Sequence, residues 1–289
     1  MIFSSAKFSH GTELDTLIDI LTQKARQMRI DIIRMTSAAG SGHVTSAFSA
    51  TDLVAALYFA EMNVSAENLF DEDRDRFILS KGHGAPVLYA ALRQIGIISE
   101  ENMLALRKPG YPLQGHPYGR TPGVDATTGS LGLGLSQAVG RAFGARSLGK
   151  KTRVYAIMSD GECQEGQVWE AAMSASFLKL DNLVAFVDRN YSQVDGKTSE
   201  VLEIDPLMDK WRAFGWRVEE INGHSFKDIL GFLQRSRSAK GGPSLAVALT
   251  KKGAGVSFVQ ESVKFGHATI LNADEARQAI DELSSKSTL

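Results

Sequence analysis

Residues 154–199 read VYAIMSDGECQEGQVWEAAMSASFLKLDNLVAFVDRNYSQVDGKTS, and this stretch decides the fold. An apolar run over 154–158 stops abruptly at Ser159-Asp160-Gly161. Helical patterning follows from Gln167, and a second apolar run over 183–187 stops at Asp188-Arg189-Asn190. Short apolar runs separated by a helical segment predict two buried parallel strands joined by a crossover helix. On a parallel sheet both polar loops fall on one edge, so Asp160 and Asn190 are expected to face the same point in space.

Outward from this unit the same alternation continues. Leu14, Leu17, Ile18, Leu21, Ala25, Met28, Ile32 and Met35 recur at helical spacing and predict one long amphipathic helix ending near Met35. Residues 1–12 read as an N-terminal extension. Ser49-Ala50-Thr51-Asp52 resembles a capping box that opens a second helix. A short strand over 77–79 runs into Ser80-Lys81-Gly82-His83-Gly84, with Lys81 read as a surface charge. The Pro- and Gly-rich stretch 107–128 is too long for a passive connector and is expected to be functional. The Gly- and Ala-rich helix predicted over 131–148 is expected to be buried or at an interface. Strands over 216–221 and 245–249 and a final helix capped by Asn272 complete the chain. The fold class is α/β: a single domain over 1–289, its mainly parallel sheet covered by helices on both faces.

Bulk composition narrows the function. With 43% hydrophobic and 22% charged residues, the chain is ordinary for a soluble globular protein. A formal charge of -1 gives no reason to expect nucleic acid or an acidic membrane surface. No apolar run approaches the roughly 20 residues of a membrane helix. One cysteine, Cys163, excludes an intramolecular disulfide. The N-terminus lacks the marks of a signal peptide, so the expected location is cytoplasmic.

The paired loops carry the chemistry. Magnesium prefers about six oxygen ligands and often binds through one or two carboxylates plus substrate phosphates. Asp160 supplies charge, Asn190 an amide oxygen, and the backbone carbonyl of Ser192 a third donor. Gly161 lets the chain approach a diphosphate, and N–H groups at the next helix start favour the anion. On Asp-Gly alone, a turn Asp and a loop Asn are the more common reading.

Spacing and context change that weighing. Asp160-Gly161, then 28 residues, then Asn190 resembles the thiamine diphosphate signature, with Ser159 in place of the usual first Gly and Arg189 preceding the Asn. Ser41-Gly42-His43, SKGHGAP at 80–86, QGHP at 114–117, TTGSLGLGLS at 127–136, SDGECQEG at 159–166 and TKKGAG at 250–255 resemble segments of the transketolase family, in the family's order. The match extends over nearly the whole chain, but only to the N-terminal, diphosphate-binding half of a transketolase.

The resemblance implies a thiamine diphosphate-binding fold, with thiamine diphosphate and Mg2+ (or Ca2+) as cofactors. It implies transfer of a two-carbon ketol unit from a ketose to an aldose. His43, His83 and His116 would line the substrate channel, where imidazoles suit proton transfer to sugar hydroxyls. His83 would also reach the diphosphate. His267 is a weaker candidate, because Phe265-Gly266-His267 inverts the family's aromatic-His-Gly order. Gly129, Leu131, Gly161, Glu162 and Lys252 would contact the cofactor. Glu165 would point into a subunit interface; otherwise it is a helix-start carboxylate. Cys163 has no evident base and reads as incidental.

No segment resembles the family's pyrimidine-binding domain, which carries the glutamate that activates the cofactor. The implied assembly is a split transketolase in which a C-terminal subunit supplies that domain, as an α2β2 heterotetramer. Two other readings stay open: the α subunit of a thiamine-dependent 2-oxo acid dehydrogenase or decarboxylase, and a non-catalytic cofactor-binding regulatory subunit. A nicotinamide site is disfavoured, since GSLGLG at 129–134 has the wrong glycine order and follows no clear strand.

Overall fold

The structure is a computed structural model, and it describes residues 11–260 and 269–285. Five strands form a fully parallel sheet: β1 (Arg76–Leu79), β2 (Val154–Ser159), β3 (Leu183–Arg189), β6 (Arg217–Asn222) and β7 (Ser244–Leu249), in the order β1-β2-β3-β7-β6. A small antiparallel hairpin, β4 (Ser192–Gln193) with β5 (Gly196–Lys197), follows β3 directly. Strands of two residues fall below any sequence periodicity, and this hairpin is not anticipated by the pattern.

Alternate residues of each strand feed two cores. Tyr155 and Ile157 of β2 join Val184 and Phe186 of β3 under α1 (Gly11–Ala39), α2 (Val44–Ser49), α3 (Thr51–Ala56), α4 (Ala85–Gln94) and two helices nearer the C-terminus. Val154, Ala156 and Met158 point the other way. They meet α6 (Leu133–Ser147), α7 (Gly166–Phe177) and α9 (Leu207–Ala213). The remaining α-helices of the described residues are α5 (Glu100–Leu104), α8 (Thr198–Val201), α10 (Phe226–Ser238), α11 (Ser257–Gln260) and α12 (Ala273–Ser285), of which α10 and α12 cover the first face. Period-two alternation on buried strands is why the sheet is wrapped on both sides. No helix among the described residues is long and apolar enough to cross a membrane.

The ends of elements show where local signals hold. Ser225 caps α10 by accepting from the Asp228 N–H at 3.2 Å, and Asn272 and Glu275 form the expected capping box of α12. The long first helix runs past Met35 to Ala39. Helix α6 starts at Leu133 because Gly132, at φ 86°, closes the preceding turn. The capping box expected at Ser49–Asp52 does not form: Ala50 is the cap residue, and neither side chain caps α3. Ser49 and Asp52 are buried and bond to distant partners instead.

Candidate active site

All five parallel strands end at one edge, in register: Ser159 lies beside Asp188, and Leu249 beside both Arg189 and Asn222. That edge gathers the loops 80–84, 159–166, 188–197, 222–225 and 250–255, where ligands of open parallel sheets bind.

Asp160 is fully buried. Its Oδ1 accepts from the Gly161 N–H at 2.8 Å and its Oδ2 from the Tyr191 N–H at 2.6 Å, so the β2 and β3 loops meet at this carboxylate as expected. Burial, and then the negative charge of Asp188, push its pKa up to about 6 despite those two N–H donors. Asn190 donates from Nδ2 towards Asp188 Oδ1 at 3.3 Å, while its buried Oδ1 accepts no hydrogen bond from the described residues. A buried amide oxygen without a donor is costly unless something else meets it, and a hard cation is the natural partner. Tyr191, directly after Asn190, takes φ 61°, an unusual backbone for a side-chain-bearing residue. A Cβ on Gly161 would come 3.1 Å from Gln193, so the loop sits close under the hairpin.

Lys81 overturns the surface reading. It is fully buried, and its Nζ pairs with Asp188 Oδ2 and donates to the Ser46 carbonyl at 3.0 Å. Asp188 also accepts from Ser49 Oγ at 2.6 Å and from Thr250 Oγ1. Burial alone would raise the Asp188 pKa; the Lys81 charge and these donors outweigh it and hold it low. Glu162 is likewise buried, accepting from Ser80 Oγ, from the Gly132 N–H at 2.9 Å and from the Ser159 N–H at 3.2 Å. Its carboxylate laces the 80, 132 and 159 loops together.

The three described channel candidates converge. His43 and His83 stand with ring centroids 5.4 Å apart, and His83 Nε2 lies 2.9 Å from Ser46 Oγ. A Cβ on Gly129 would come 3.2 Å from the His116 ring, and one on Gly82 would come 2.8 Å from the Gly129 N. Glycine at 82 and 129 is therefore what lets the histidine loops close on one another. Burial, then the Arg107 charge, lowers the His43 pKa to about 4 and lowers that of His116 as well. Both rings are neutral at pH 7 and can exchange hydrogen bonds with hydroxyls. His267 lies outside the described residues.

Lys252 donates to Ser192 Oγ at 2.8 Å, bringing the last loop onto the hairpin. Burial, then the Lys81 charge, lowers its pKa to about 8. Leu131 follows the Gly129 turn, and Glu165 precedes α7 without capping it, its Cβ 3.0 Å from where a Cβ on Gly132 would sit. Cys163 is buried with its thiol pushed well up by burial, which makes it unreactive. His224 bonds through both ring nitrogens. Lys81, Asp188, Asp52 and Arg29 are the network residues that sequence reasoning missed.

Comparison with known proteins shows the family. Residues 20–287 match the family described as "Transketolase, thiamine diphosphate binding domain". The 6-deoxy-6-sulfo-D-fructose transketolase subunit SqwG of Clostridium sp. (strain MSTE9) is 43% identical over 86% of this chain and 90% of its own length. An apulose-4-phosphate transketolase subunit of Phocaeicola vulgatus is 37% identical over 95% of this chain and 96% of its own. Human transketolase is 38% identical over 93% of this chain, but over only 43% of its own length. The transketolase structure from Leishmania mexicana superposes with a TM-score of 0.86 at 28% identity, covering 91% of this chain and 41% of that one. The chain thus spans about two fifths of such full-length relatives, and it belongs to the transketolase family as a thiamine diphosphate-binding domain.

Proposed function

We propose that the chain is the N-terminal subunit of a two-chain transketolase, which holds the magnesium-diphosphate end of thiamine diphosphate and works with a C-terminal partner subunit. One observation carries this reading: the sheet edge is unbalanced in two directions at once. Asp160 is a buried carboxylate with a raised pKa beside the undonated Asn190 Oδ1, and Lys252 is a half-buried amine with a lowered pKa a loop away. A divalent cation relieves the first pair and a diphosphate relieves the second, so a magnesium diphosphate satisfies both.

In this reading Asp160 and Asn190 hold the metal through side-chain oxygens, with the Ser192 carbonyl as a third donor. Gly161, Glu162, Gly129, Leu131, Lys252 and His83 shape the cofactor cradle, Glu162 by bracing its loops. Thiamine diphosphate, when bound, supplies the nucleophilic carbon that breaks and remakes the bond beside a ketose carbonyl. His43, His83 and His116, neutral at pH 7 in the case of His43 and His116, orient the sugar hydroxyls and pass protons to and from them. His267 is a fourth candidate for that channel.

Support for a partner comes from the surface and from the relatives. Leu133, Phe143 and Leu148 of the α6 region, and Met173 and Phe177 of α7, are exposed; Phe177 is 84% exposed. A Cβ on Gly140 or Gly144 of α6 would meet nothing within 4 Å among the described residues. Together with Glu165 this is an apolar, small-residue face of the kind that other subunits cover. Relatives of about this chain's length are named as subunits. An α2β2 arrangement follows if two such halves pair.

The test is reconstitution. The chain co-expressed with a C-terminal transketolase half should transfer ketol units in the presence of Mg2+ and thiamine diphosphate, and the chain alone should transfer none. Robust turnover by the lone chain, or carbon dioxide release from a 2-oxo acid by the pair, sinks the proposal.

A further inference from the structure

The loop 250–255, which carries Lys252, is pinned on either side of that lysine. At Lys251, the backbone N–H donates to His224 Nε2 at 2.9 Å. At Ala254, the carbonyl accepts from Arg29 Nε at 2.7 Å. Both pins trace back to one buried carboxylate. Arg29 binds Asp52 bidentately, Nη1 to Oδ1 at 2.9 Å and Nη2 to Oδ2 at 2.8 Å. His224 Nδ1 lies 2.7 Å from Asp52 Oδ2.

The bonds fix the chemistry of the ring. Nε2 receives an N–H, so it must be the bare nitrogen, and Nδ1 therefore carries the proton and donates it to Asp52. His224 is held in turn by its own N–H on Asn222 Oδ1 at 2.9 Å. The fit at the other pin is equally close. Gly255 takes φ 100°, and a Cβ there would come 2.7 Å from Arg29 Nε. The Gly253 N–H adds a bond to the Thr45 carbonyl at 3.2 Å. Three segments distant in sequence, around residues 29, 52 and 224, meet at this loop.

We propose that His224 is a positioning residue: oriented by the Asp52–Arg29 pair, it fixes loop 250–255 so that Lys252 reaches across to Ser192 at the diphosphate end of the site. This rests on the reading of the sheet edge as a diphosphate site. His224 touches no cofactor and acts through the Lys251 backbone.

The test compares two variants in the full chain, His224→Phe and His224→Gln. Phenylalanine removes both bonds, whereas glutamine keeps one donor for Asp52 and one acceptor for Lys251. Two readouts are taken: hydrogen exchange at the Lys251 amide, and affinity for thiamine diphosphate in saturating Mg2+. His224→Phe should speed Lys251 exchange and weaken cofactor binding, each by about tenfold, in the range seen when a residue that orients a metal ligand is lost. His224→Gln should recover both to within about threefold. An unchanged Lys251 amide in His224→Phe overturns the proposal, as does an equal loss of affinity in both variants. If the wild-type chain binds no magnesium thiamine diphosphate, the diphosphate reading fails, while the exchange data still decide whether His224 pins the loop.

Discussion

Asp160 and Asp188 end neighbouring strands, and both are fully buried, yet they are opposites. Asp188 is saturated: Lys81, Ser49 and Thr250 all reach it, and its pKa is held low. Asp160 has two backbone N–H donors and, among the described residues, no salt-bridge partner, and its pKa rises to about 6. One carboxylate belongs to the scaffold and the other is left short of positive charge. Burial alone therefore does not mark a binding group; a deficit of compensation does.

The two aspartates should respond to mutation in opposite ways. Asp188→Ala leaves the Lys81 ammonium buried without its partner and should cost about 3–5 kcal/mol of stability, read by denaturant unfolding. Stability close to wild type would mean that Asp188 is not the anchor described. Asp160→Ala should leave the fold intact and weaken magnesium-dependent binding of thiamine diphosphate by more than about 100-fold, since even residues behind a metal ligand cost about 10–100-fold. Calorimetric titration with and without Mg2+ checks this. Asp160→Asn removes the buried charge but turns an amide nitrogen towards one of the two N–H donors, so stability without divalent cation at pH 8 should stay within about 2 kcal/mol of wild type. A loss as large as that of Asp188→Ala would put Asp160 in the same class as Asp188.

Asp52 sharpens the saturated class through pH. Burial would raise its pKa, but Arg29 and His224 bring it down to about 2, below the ordinary 3.8. Because the folded value is the lower one, its contribution is complete above about pH 4 and is lost as the pH falls towards 2. The difference between wild type and Asp52→Asn should shrink by about 2 kcal/mol across that window. The smallest effect concerns His43, whose pKa is lowered to about 4. Its ring resonances should not titrate between about pH 5.5 and 8, whereas an ordinary histidine would change there.

Much of this edge was legible because the signals are local. Asp160-Gly161 and Asn190 sit where apolar runs stop, and His43, His83 and His116 sit in Gly-containing loops, so linear reading picks them out as candidates, and the structure brings these together at one edge. The alternation of apolar runs and helical spacing likewise marked the sheet's strands, to within about one residue at the ends of β1, β6 and β7. What escaped was long-range electrostatics. Lys81 pairs with a residue 107 positions away, and Asp52 with one 172 positions away. Ser49 and Asp52 had the spacing of a capping box, but buried partners claimed both side chains, and tertiary bonds overrode the local motif. The same spacing at Asn272 and Glu275, on an exposed helix start, forms the box.

The central claim is that Asp160 and Asn190 share a divalent cation that carries the diphosphate. Its most direct test is anomalous diffraction from crystals of the chain grown with Mn2+ and thiamine diphosphate. The account predicts one strong peak within about 2.3 Å of an Asp160 carboxylate oxygen and of Asn190 Oδ1, with diphosphate oxygens on the same ion. A diphosphate bound at this edge with no metal between Asp160 and Asn190, or a metal bound elsewhere, would contradict it.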